Sequence, residues 1–168
     1  MNHSLPEDTS LDISALHKIF QSTTNSYKFL FFISLLDLLK RRAEFKSTDR
    51  TFLIKEVTTG LLAYAWYSHR FFRLSFGSQD RIGKSLDKLQ FTLDESSITH
   101  PSTRTRLLKS IECQFEAIDG PSLMHYVPFR LLSPFFDSKL KGIKDSLKNK
   151  EIEKLANECF YGSEPSLY

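Results

Sequence analysis

The groups in this chain able to bind a metal or attack a bond are His3, His17, His69, His100, His125, Cys113 and Cys159. Their spacing argues against both roles. No two histidines stand in a His-x-x-x-His pair, and the cysteines form no Cys-x-x-Cys, so the ligand pattern of a zinc site is missing. Nucleophilic catalysis needs a thiol or hydroxyl with a base beside it. Cys113 falls in a helical stretch near Phe115 and reads as a small core residue. The segment FGSQDRIGKS is only loosely like a phosphate loop, because it lacks the order Gly-x-x-x-x-Gly-Lys. Gly77 and Gly83 therefore read as a turn and a close packing contact. Asp94 and Glu95 are neighbouring carboxylates in a polar linker and read as solvated. The residues supply no catalytic group, no metal ligands and no cofactor site.

The cations are better placed. Arg70 and Arg73 flank Phe71 and Phe72, and Arg81, Lys84 and Lys88 follow. On a helix beginning at Asp80, positions 81, 84 and 88 share one face. Such a face suits phosphate, although most charge stripes are plain solvated exteriors. His69 adds a further donor or a surface histidine without a role. Arg104, Arg106 and Lys109 make a second cluster; a third runs from Lys139 to Lys150, interrupted by Asp145, and serves solubility. The net charge is +3, too weak to imply nucleic acid by itself.

The elements that must position these groups are helical. At 168 residues the chain fits one domain. It holds 15 phenylalanines against a single tryptophan, which implies a thick core or a core plus an aromatic docking face. Leu11, Ala15, Leu16, Ile19 and Phe20 have helical spacing after a cap at Ser10 or Asp12. Asn25 or Ser26 caps the next helix, SYKFLFFISLLDLL. That run is shorter than the roughly 20 residues needed to cross a bilayer. Its two charges, Lys28 and Asp37, stand about 180° apart around the helix, so apolar surface nearly encircles it. A helix of that kind is expected to be enclosed on most sides. Residues 51–67 continue helically past Gly60, where a kink or close packing is expected. Asp80 caps a helix to about Gln90, FTLDESSITHPS links, and Pro101 opens another helix. DGPS reads as a turn, Val127 and Ser133 as breaks before prolines, and 145–160 as the last helix.

Three segments in order resemble a known family: NSYKFLFFISLLDLL, LLAYAWYSHRFFRLSFGSQDRIGK and YVPFRLLSPFF. They are similar to the helical N-terminal region of bacterial HNH-endonuclease-like proteins, over about 25–165. The family continues into a ββα-metal nuclease region whose motifs do not occur here. The resemblance thus implies a non-catalytic domain that positions nucleic acid or a partner chain, with Arg70, Arg73, Arg81 and Lys84 as the phosphate-contacting residues. It also implies that the chain in hand does not cut DNA. Tyr126 and Arg130 stabilise the proline-rich segment in this reading, with Arg130 paired to Asp37 or Asp119.

The expectation is an all-α fold, a single compact domain of six to eight helices around the Phe/Leu-rich helix of residues 26–39. It spans 11–162, between a loose tail at 1–10 and a second tail at 163–168. Two binding roles stay open: nucleic acid through the Arg/Lys face, and a protein partner or homodimer through the phenylalanines. No membrane is expected, and two free thiols fit a reducing cytoplasm.

Overall fold

The computed structural model describes residues 13–21, 26–45, 51–77, 80–93, 101–125 and 127–161. Every regular element among them is helical. In chain order these are α1 (Ile13–Gln21), α2 (Tyr27–Glu44), α3 (Ile54–Phe72), α4 (Arg81–Lys88), α5 (Pro101–Cys113), α6 (Gly120–Met124), α7 (Val127–Leu132), a 3-10 turn (Ser133–Phe136) and α8 (Asp145–Tyr161). They group into two compact units, one of α2 to α6 and one of α1, α7, the 3-10 turn and α8. The expected tails at 1–10 and 163–168, and the caps at Ser10, Asp12 and Asn25, lie outside the described residues.

The α2–α6 unit is built around α3, not around α2. Val57, Leu61, Leu62, Ala63, Ala65 and Trp66 are all buried, and α3 packs against α2, α4, α5 and α6. Small residues explain this central place, because Gly60, Ala63 and Ala65 let neighbouring backbones come close from several sides. The closest approach is to α2. The Ser34 hydroxyl donates to the Val57 carbonyl at 2.7 Å in a buried position. A Cβ at Gly60 would meet the Ser34 hydroxyl and stand 3.2 Å from its Cβ. Of the two expectations for Gly60, close packing is the one observed.

The reading of α2 as an enclosed core helix needs correction. Phe31 and Ser34 are buried against α3, but Phe29, Ile33 and Leu36 remain 50%, 45% and 47% exposed. A helix apolar all round offers two faces, and α3 covers only one.

On the other side of α3, α5 turns Thr103, Leu107 and Ile111 inward at four-residue spacing. The chain then tightens through Phe115 and Ile118, both buried, into α6. Asp119 takes the left-handed conformation at φ 60°. Gly120 lies flat on the Phe115 ring, where a Cβ would come within 2.7 Å. The expected DGPS turn is thus the entrance to a short helix. In the other unit, Phe136, Leu140, Ile152 and Leu155 form a core, with Phe129, Leu132, Ile143, Ala156 and Cys159 packed against it. The breaks expected at Val127 and Ser133 are the starts of α7 and the 3-10 turn. Asp145 opens α8, and the hydrogen bond and charge of Lys148 hold its carboxyl below the ordinary value.

The α2–α3 contact gives a direct test. Gly60→Ala gains about 1 kcal/mol of helix propensity. It must also overpack the crossing, at about 1–3 kcal/mol, and turn Ser34 away from its carbonyl, at about 1 kcal/mol. The expected result is a net loss of about 1–3 kcal/mol in urea unfolding with an unchanged slope. Much of that loss should be absent when Gly60→Ala is made in a Ser34→Ala background.

Candidate functional site

The segment joining α3 to α4 carries most of the expected site residues, and it is held by a chain of polar contacts. Helix α3 ends at Arg73, whose φ of 52° is left-handed. Its N–H donates to the His69 carbonyl at 3.0 Å, and that of Leu74 to the Ser68 carbonyl at 3.3 Å. This is the geometry usually reserved for glycine after a helix. Phe76 is buried. Its N–H donates to Asp80 Oδ2 at 3.0 Å, and its carbonyl accepts from Ser26 N–H at 3.0 Å. Asp80 Oδ1 accepts the Gly83 N–H at 2.7 Å, the N-cap expected from the sequence. A Cβ at Gly83 would lie 2.8 Å from the Asp80 carboxylate, so this glycine is also a close contact.

The remaining donors at the start of α4 go to a residue far away in sequence. The Tyr27 hydroxyl, from the first turn of α2, accepts from Arg81 N–H at 2.6 Å and Ile82 N–H at 3.2 Å. The first three N–H groups of α4 are therefore satisfied within the protein. A helix start with free donors is a natural anion site; this one is closed. Burial pushes the Tyr27 phenol above its ordinary value, against the two backbone hydrogen bonds, which pull it down.

Arg81, Lys84 and Lys88 lie exposed on one side of α4, as expected. Asp87 lies in the same exposed arc. Its Oδ1 accepts from His69 Nε2 at 2.8 Å and stands 3.8 Å from Arg73 Nη1. The structure thus gathers Arg73, His69 and Asp87 across α3 and α4, and places a carboxylate among the cations. Arg70 is exposed but turned about 100° around α3 from His69. His69 is not the surface histidine of the sequence reading. Its ring lies 6.5 Å from that of Phe76, and its Nδ1 is buried without a hydrogen-bond partner.

Three other expectations change. Asp37 pairs with Arg104 at 2.9 Å and Arg41 at 3.0 Å. Arg104 also lies over the Tyr64 ring at 4.2 Å, which removes it from the second basic cluster. Arg106 and Lys109 stay exposed. Cys113 is exposed rather than a core residue. Among the described residues no group of three or more His, Cys, Asp or Glu is placed to hold a metal. No described helix is long and apolar enough to cross a membrane.

The sequence pointed to an aromatic docking face through the phenylalanines; what it missed is that part of it lies on α2. Besides Phe29, Ile33 and Leu36 on α2, the end of α3 exposes Phe71, Phe72 and Leu74. Trp66, Tyr67 and Phe71 form a ring cluster, with Tyr67 and Phe71 stacked at 6.1 Å. The only signal available was the density of Phe and Leu, which says that surface must be covered but not by what.

No known protein family matches the chain, and neither a curated protein nor a solved structure shows significant similarity to it. The resemblance to HNH-endonuclease-like proteins rests on the three quoted segments alone.

Two outcomes are expected at this site. Arg73→Gly should raise stability by about 1 kcal/mol, because it relieves the left-handed backbone, whereas the exposed contact it loses contributes little. Chemical denaturation measures the difference. Tyr27→Phe should cost about 1–3 kcal/mol at neutral pH by leaving N–H groups of α4 unpaired. In the native chain a raised folded phenol value means that unfolded Tyr27 gives up its proton first, so stability falls as pH climbs past about 10. Denaturation followed above that pH should show a shallower fall in Tyr27→Phe.

Proposed function

We propose that this chain is a helical binding module that engages a protein partner through the outer face of α2, with the aromatic end of α3 beside the start of that helix. The observation that carries the reading is a helix buried on one side and apolar on the other, with Phe29, Ile33 and Leu36 each about half exposed. An exposed apolar stripe of this kind marks an interaction site. The α3–α4 segment is fixed to the start of α2 by the Ser26–Phe76 and Tyr27–Arg81 hydrogen bonds. Its exposed Phe72 and the neighbouring Arg70 and Arg73 have the aromatic and arginine chemistry that dominates binding energy at protein interfaces. The proposal assigns the chain no reaction.

A second reading is contact with nucleic-acid phosphates through Arg70, Arg73, Arg81 and Lys84, the role implied by the HNH-endonuclease-like resemblance. The exposed spacing of Arg81, Lys84 and Lys88 supports it. Two features weigh the other way: Asp87 sits among these cations, and the start of α4 has no N–H group left for a phosphate. Titration with a short DNA duplex separates the readings, because phosphate-driven binding weakens steeply with salt.

The docking reading predicts that the outer face of α2 contributes nothing to folding. The double variant Ile33→Glu, Leu36→Glu should unfold within about 0.5 kcal/mol of the parent. It should also bind less of a hydrophobic fluorescent dye. A stability loss above about 2 kcal/mol would show that the face is internal packing and end the proposal.

A further inference from the structure

Every residue from Arg70 to Ser75 is exposed, where α3 ends and the left-handed Arg73 turns the chain away. The apolar members of this stretch are Phe71, Phe72 and Leu74, which are 47%, 73% and 52% exposed. Phe71 and Phe72 point about 100° apart around the helix. They therefore form a convex end and not the wall of a groove. The charge of the molecule is gathered at the same place. Between His69 and Gln90 the charged side chains are Arg70, Arg73, Asp80, Arg81, Lys84, Asp87 and Lys88, five cations against two carboxylates. That stretch carries the whole formal charge of the chain, +3, and the remaining residues balance to zero. Asp80 commits its carboxylate to the N–H groups of Phe76 and Gly83. Arg70, Lys84 and Lys88 have no carboxylate partner among the described residues. The contacts of Asp87 with His69 and Arg73 hold the cationic side of α4 beside the end of α3.

We propose that the end of α3 and the exposed side of α4 attach the protein to an anionic lipid surface, with Phe71, Phe72 and Leu74 entering the headgroup layer. This surface is distinct from the outer face of α2 and adds a second contact to the docking role of that helix. Attachment of this kind needs no membrane-spanning helix, and the described residues contain none. Exposed apolar side chains with basic residues around them suit an anionic bilayer interface. Arg70 and Arg73 flank the two rings, and their stems can lie along apolar surface while the guanidinium groups reach phosphate. A bilayer interface accepts a convex apolar end without a matching pocket. The positive charge is also spread out. The one ready seat for a single anion, the start of α4, is filled by Tyr27 and Asp80. A spread of cations is attracted to an extended anionic surface. Duplex DNA is such a surface too, but it offers Leu74 and the phenylalanines no apolar layer to enter. With three apolar residues to bury, attachment is reversible and needs both the rings and the charge.

Co-sedimentation of the full chain with large unilamellar vesicles tests the proposal, using phosphatidylcholine alone and phosphatidylcholine mixed with phosphatidylserine. Binding should be roughly tenfold or more tighter to the anionic vesicles and should weaken as salt is added. Phe72→Ser with Leu74→Ser should weaken it roughly fivefold or more, and so should Lys84→Glu with Lys88→Glu. Urea unfolding of both variants should match the parent, because all four side chains are exposed. The α2 variant Ile33→Ser, Leu36→Ser should bind vesicles as the parent does. Absence of binding to anionic vesicles at low salt overturns the proposal, as does equal binding to the two kinds of vesicle. If Phe72→Ser with Leu74→Ser leaves vesicle binding unchanged, the contact is charge alone and the proposal fails. Loss of binding in the α2 variant places the contact on α2 and overturns it as well. Salt-sensitive binding of a short DNA duplex without any vesicle binding returns the cations to nucleic acid, against the proposal.

Discussion

The close crossing of α2 over α3 at Ser34 and Gly60 sets the geometry of the α2–α6 unit. A glycine on one helix and a serine on the other bring the two backbones together, and the serine hydroxyl finds its partner in the carbonyl of Val57. A larger residue at either position would push α2 outward. At the crossing distance observed, Tyr27 reaches the first N–H groups of α4 and Asp37 reaches Arg104. The same contact decides which side of α2 faces inward. With Phe31 and Ser34 committed to α3, the side bearing Phe29, Ile33 and Leu36 has to face outward.

Helix positions were legible in the sequence to a useful degree because their ends carry local chemistry. Asp80 caps α4 as an aspartate before a helix should, Pro101 stands where α5 begins, and Gly83 packs as a residue without a side chain can. Tertiary partners were not legible. Asp37 plainly needed a counter-ion, but several arginines were available in sequence, and only the packing of α5 on α3 selects Arg104. The covered side of α2 was hidden for another reason: when every face of a helix is apolar, periodicity carries no information about direction. Cys113 illustrates a boundary effect, since a helical stretch near Phe115 says little about which way its final residue points.

The cationic residues show how a pattern can be present and yet altered by its surroundings. Their spacing on α4 survives in three dimensions, but Asp87 stands within the group and draws Arg73 and His69 toward it. Much of the polar apparatus that marked the α3–α4 segment turns out to hold the segment together. Asp80, Gly83 and the Phe76 backbone satisfy one another, so their presence needs no ligand to explain it.

The phenol of Tyr27 joins the start of α2 to the start of α4 without any covalent link between them. Detaching one from the other would strand two amide donors, so the pair behaves as a single strut. Force applied to the first turn of α2, two residues from Phe29, is therefore delivered to Arg81 and the rest of α4. Anything seated on the one helix is mechanically in register with whatever touches the other.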